Sequence, residues 1–237
     1  MVSIRSGLDW TIIEQIRKRI ISLSRIQGSL QDIYELDIAH NVNDYLVTSR
    51  AWMQQVDSGA SNKHAREKLL IHEDEQGLNL SLYLDETILT QFGRHNPLEQ
   101  LDHRNIQEFC LALEGISHFI YLVWNASYDR TVTLLEMELQ AEVDKFIMLM
   151  NCLELQSCSP APGQLTRLLF ESNRYHEDLS GEEQKRYREA TFYAKKYCQH
   201  LESHYSGRQN RAGLLMELRR FYRLNKPGKL KQIIRSH

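Results

Sequence analysis

"EFCLALEGISHFIYLVWN", residues 108–125, is the most apolar run in the chain, and it carries Glu114 and His118 four residues apart. On a helix turning about 100° per residue, Phe109, Leu113, Ile116, Phe119, Ile120 and Val123 cover most of the circumference. Gln107, Cys110, Glu114, Ser117, His118, Tyr121 and Asn125 fall within about 60° of Glu114, with Leu111 intruding at one edge. A solvent-facing strip of a helix usually carries lysines, arginines and several acids. This seam instead has one charge among neutral hydrogen-bonding groups, which suits a cavity lining or an internal polar network. Glu114, Ser117 and His118 also interrupt the run well short of the roughly 18 apolar residues that cross a membrane, so it reads as a core helix opened by an Asn105–Glu108 capping box.

The next helix, read over residues 130–155 with Asp129 as its cap, has two polar faces. Glu138, Glu142 and Lys145 share one; Thr133, Glu136, Gln140 and Asp144 share the opposite one. Apolar residues fill both flanks, so the helix is sandwiched between neighbours. If it packs antiparallel to 105–125, Glu138 and Glu142 face the Glu114–His118 seam. The candidate catalytic pair is therefore Glu114 and His118, and the candidate metal ligands are Glu114, His118, Glu138 and Glu142. The cofactor is unknown, with a divalent metal the one the residues suggest, in the manner of carboxylate sites in helical bundles. The Glu-to-His spacing is four rather than the three of those bundles. The plainer reading pairs Glu142 with Lys145 on a solvated face.

Outward from this core the chain reads as α+β and predominantly helical, with a small antiparallel β element near the N-terminus. Ile12, Ile13, Ile16 and Ile20 mark a helix over 8–23, with Gly28 closing that unit. In "LNLSLYL", leucines 78, 80, 82 and 84 alternate with polar residues and Tyr83, which is period two. With "KLLIH" before it and a polar turn holding Gly77, residues 68–84 form a hairpin, and residues 42–48 offer a third strand. "SGASNKHA", 58–65, is a loop. From Asp85 the pattern is helical: "DETILTQF", the two long helices, then 164–172, a helix from the Ser180–Glu183 capping box to about Tyr205, 209–224, the turn "NKPGK" and a last short helix. "SCSPAPG", 157–163, divides a 1–158 body from a basic helical region, 159–237, that continues the same domain or forms its own.

The 237 residues are 42% hydrophobic and 25% charged, ordinary for a globular chain. Charge is lopsided: residues 71–155 hold 15 acids and 4 Lys/Arg, while 185–237 hold 14 Lys/Arg and 3 acids. Either the basic helices pack on the acidic middle, or the basic end binds a polyanion. Arg219, Arg220, Arg223, Lys226, Lys229 and Lys231 are the candidate binding residues for nucleic acid. The opening residues carry no export signal, and the scattered cysteines, without CxxC, read as buried thiols of a cytosolic protein. His200 and His204 have zinc-compatible spacing but no HExxH, and glycine-rich phosphate loops and GxSxG are absent. The favoured reading is a non-enzymatic interaction or regulatory protein with a protein partner, homo-oligomerisation being compatible and a membrane not. The alternatives are a metal-dependent enzyme or small-molecule binder on the 105–125 helix, and a nucleic-acid binder through the basic helices.

Overall fold

Helix α4, Ile106–Ala126, buries Phe109, Leu113, Ile116, Phe119 and Ile120, and the other elements assemble around it. A computed structural model describes residues 10–57, 65–75, 77–158, 160–171, 180–205 and 210–236, with side chains from residue 22 onward. The architecture is α+β and predominantly helical. In chain order the elements are α1 (Trp10–Tyr34), a 3-10 turn (Val42–Tyr45), β1 (Leu46–Val47), α2 (Arg50–Val56), β2 (Glu67–Asp74), β3 (Gly77–Leu84) and α3 (Glu86–Arg94). After α4 come α5 (Leu134–Leu155), α6 (Gln164–Glu171), α7 (Gly181–Tyr205), α8 (Arg211–Tyr222) and α9 (Lys226–Arg235). By length and composition α4 alone among the described helices is apolar enough to cross a membrane, and 56% of its most apolar window is buried in the fold.

The sheet order is β1-β3-β2, with β2 antiparallel and β1 parallel to β3. Only one end of the hairpin is covered: Leu82, Tyr83 and Leu84 are buried, whereas Leu78 is 39% exposed. The residues expected at 58–64 to form a loop lie outside the described set. Helix α5 packs on both α4 and α7. One apolar core includes Leu23 of α1, Phe146 of α5, Tyr197 of α7 and Ile233 of α9, thus residues on both sides of the 157–163 break.

Several boundaries differ from the sequence reading. Helix α1 runs through Gly28 to Tyr34 because Leu23, Ile26, Leu30 and Ile33 form a continuous buried stripe; a helical glycine costs only about 1 kcal/mol. Asn105 is the N-cap position of α4 but makes no cap bond. Its side chain instead ties the preceding loop through His95 O, Gln100 O and Asp102 N. Glu108 pairs with Arg66 at 3.2 Å. Asp129 does not cap α5; it sits at φ 52° in the connecting turn. Thr133 caps the helix, in a reciprocal box with Glu136. "NKPGK" is the start of α9, with Asn225 as N-cap and Pro227 in the first turn. Thr133→Ala should therefore lower stability by about 1 kcal/mol in urea denaturation.

Candidate metal centre

Contacts between α4 and α5 run in opposite senses along the two helices, 114 to 145 and 118 to 138, so the pair is antiparallel. This brings Glu138, Glu142 and Lys145 against Glu114 and His118. The side chains of His118, Glu138, Lys145 and Glu142 are 8–10% exposed, and that of Glu114 17%. The Glu142–Lys145 pair is thus buried between helices instead of lying on a wet face.

Two rungs result. In one, Lys145 Nζ donates to Glu114 Oε2 at 3.1 Å and to Glu142 Oε1 at 2.8 Å. Burial opposes the Lys145 charge, but Glu114 and Glu142 outweigh it and hold the ammonium well above the usual lysine range. Burial raises the Glu142 carboxyl, with Lys145 opposing. Cys110, one turn below Glu114, is pushed up to about 12 by burial and stays a thiol. In the other rung, His118 Nε2 lies 3.5 Å from Glu138 Oε2, and His118 Nδ1 lies 3.8 Å from Glu67 Oε1. Burial disfavours the imidazolium, yet Glu138 and Glu67 prevail and raise the His118 pKa well above its usual value. Burial also raises Glu67.

Glu67 and Arg186 were not found from the sequence. Glu67 opens β2 and pairs across the sheet with Leu84, at the buried end of the hairpin. It reaches His118 because residue 115 is glycine: a Cβ there would lie 2.7 Å from Leu82 Cδ1 and 2.8 Å from Glu67 Oε1. Arg186, on α7, brings Nε to 3.8 Å from Glu138 Oε1. Tyr187 adjoins it, its hydroxyl held protonated by burial with Glu138, Glu114 and Glu67 adding to the effect.

Glu114, His118 and Glu138 each present a ligand atom within 4.8 Å of the others, the one group of this kind with three or more members among the described residues. Donors bound to one ion at tetrahedral angles stand about 3.4 Å apart, close to the His118–Glu138 separation. Each has support behind it: Lys145 on Glu114, Arg186 on Glu138 and Glu67 on the far nitrogen of His118. A carboxylate behind a ligating imidazole is the usual outer shell of a metal site. Buried Glu67 Oε1, His118 Nε2, Glu142 Oε2 and Arg186 Nε have no hydrogen-bond partner among the described residues.

Ser117 leaves this seam for a second network on the opposite face of α5. Asp144 accepts from Tyr34 at 2.5 Å, Ser117 at 2.5 Å and Gln140 at 2.8 Å. Burial raises Asp144, opposed by these three bonds.

The basic candidates scatter. Arg219 donates to Ile33 O and pairs with Glu35 at 2.7 Å, and Arg223 donates to Glu35 O, so both tie the end of α1. Arg220 is exposed and pairs with Glu217. Lys226 is half-buried and Lys231 exposed. Lys229, expected on the binding face, is fully buried. The rings of His200 and His204 lie 4.1 Å apart along α7, tilted by 38°, and His204 Nδ1 lies 3.0 Å from the carbonyl of His200. Neither family models, curated proteins nor solved structures match this chain.

Gly115→Ala should displace Glu67 and cost about 1–3 kcal/mol in denaturant unfolding. Lys145→Met should cost more, about 3–5 kcal/mol, because Glu114 and Glu142 lose their shared cation inside the fold. Adding Glu142→Gln should recover part of that loss.

Proposed function

We propose that the protein binds one divalent metal ion between α4, α5, β2 and α7, with Glu114, His118 Nε2 and Glu138 as ligands. The observation that carries this reading is the convergence of those three donors, two paired with Lys145 and Arg186 and the third with Glu67 near its other ring nitrogen. Charge agrees with it. Without an ion, Glu138 and Glu67 hold a proton on His118, and burial favours the protonated forms of Glu67 and Glu142. An ion binds by displacing those protons. The four glutamates against Lys145 and Arg186 then leave two negative charges around a neutral imidazole, which a divalent ion balances. Leaving buried charge uncompensated costs several kcal/mol. One nitrogen and carboxylate oxygens suit Mn²⁺, Fe²⁺ or Zn²⁺. Three protein ligands leave room for water or another oxygen donor, the arrangement that lets a metal act as a Lewis acid. A reducing cytosol, where the four free cysteines stay as thiols, suits a ferrous ion.

The interaction and nucleic-acid readings have less behind them. Part of the charge on which they rest is spent internally, by Arg186 on Glu138, Arg211 on Glu154 and Arg219 on Glu35, and Lys229 is in the core.

The test is titration of chelator-stripped, untagged protein with Mn²⁺, Fe²⁺ and Zn²⁺, read by calorimetry and elemental analysis. One equivalent of at least one ion should bind, and His118→Ala and Glu138→Gln should each weaken it by at least about tenfold. Failure of every ion to bind stoichiometrically, or binding unaffected by both substitutions, would refute the proposal.

A further inference from the structure

Helix α9 buries two side chains against the body, Lys229 and Ile233, and Gln232 donates to Glu217 of α8. Lys229 is 0% exposed. Its Nζ donates to Gln140 Oε1 at 2.5 Å and lies over three rings, 4.5 Å from the centroid of Phe221, 4.9 Å from Tyr121 and 5.7 Å from Tyr222. Asp144, the acid that acts on it most strongly, is served instead by Tyr34, Ser117 and Gln140. The neutral amide of Gln140 therefore stands between the amine and the carboxylate. An uncharged amine keeps its bond to Gln140 and gives up far less hydration on leaving water than an ammonium, which exchanges most of its hydration for one hydrogen bond and three ring faces.

We propose that α9 is a proton-controlled latch, gripped by the neutral amine of Lys229 and loosened when that amine takes up a proton. The surroundings from each packed element agree. From α5, Asp144 and Glu136 favour the ammonium. Tyr121 of α4, Tyr222 of α8, Tyr34 of α1 and Tyr197 of α7, which stacks on Phe221, are all raised by burial and stay neutral. Burial prevails over the two acids and draws Lys229 down to about 7. Free in water, the same group titrates near 10.5. The docked state thus binds fewer protons than the released one, so docking strengthens as pH rises. The gain is about tenfold per pH unit above 7, ending near 10.5, with no further change below 7. Release bares Tyr121, Phe221 and Tyr222.

Hydrogen–deuterium exchange of residues 226–236 in the full chain, corrected for intrinsic exchange and run from pH 6 to 9, tests this. Opening of α9 should fall about tenfold per unit from 7.5 to 9 and level off below 7. Lys229→Met should be protected at every pH without the slope, and Lys229→Arg should open readily at every pH. Independently of those variants, the ¹³Cε resonance of Lys229 in the native chain should titrate near 7. Titration near 10.5, or the same pH slope in Lys229→Met, would overturn the proposal.

Discussion

Helix α5 is buried on nearly every side, and six of its buried residues are polar: Glu136, Glu138, Gln140, Glu142, Asp144 and Lys145. A helix in that position must find partners for every such group within itself or on the elements packed against it, since little water reaches them. That requirement fixes what surrounds it. α4 supplies Glu114, Ser117 and His118, α1 supplies Tyr34, β2 supplies Glu67, α7 supplies Arg186 and α9 supplies Lys229.

The two faces of α5 meet the requirement differently. Around Asp144 the partners are neutral donors, and the carboxylate oxygens are saturated by Tyr34, Ser117 and Gln140. Around Glu138 and Glu142 the partners are mostly charged, and four buried atoms remain without hydrogen bonds among the described residues. A satisfied network serves packing and specificity. A cluster in which four acids face two bases, with buried atoms left over, has room for a further cation, which is why the proposed ion belongs on this face. The backbone cooperates at Gly115, where the sheet approaches α4 closely enough to carry Glu67 to the imidazole.

Much of this was legible in the sequence where periodicity speaks. The seam of α4, the two polar faces of α5, the hairpin and the Ser180–Glu183 box follow from spacing alone. What spacing cannot give is which element covers a face. Glu67 belongs to a strand in another layer, Arg186 to a helix 48 positions beyond Glu138, and neither carries a local signal. Lys229 sits in "NKPGK", which has turn composition, yet Asn225 and Pro227 start a helix there and turn the lysine inward. Gly28 and Asp129 were misread for a related reason: buried neighbours carried α1 past the glycine, and Thr133 with Glu136 outcompeted the aspartate as a cap. The seam itself was only partly read, since Ser117 parts from Glu114 and His118 once α5 packs between two networks.

The proposed role of this face depends on an ion among Glu114, His118 and Glu138. X-ray absorption at the metal edge, on protein loaded with one equivalent of zinc or manganese, reads that shell directly. The structure predicts a single imidazole nitrogen with oxygen as the only other donor type, at about 2.0–2.2 Å, and loss of imidazole scattering in His118→Ala. Sulfur at about 2.3 Å, or two imidazoles that persist in that variant, would place the ion elsewhere in the chain and contradict it.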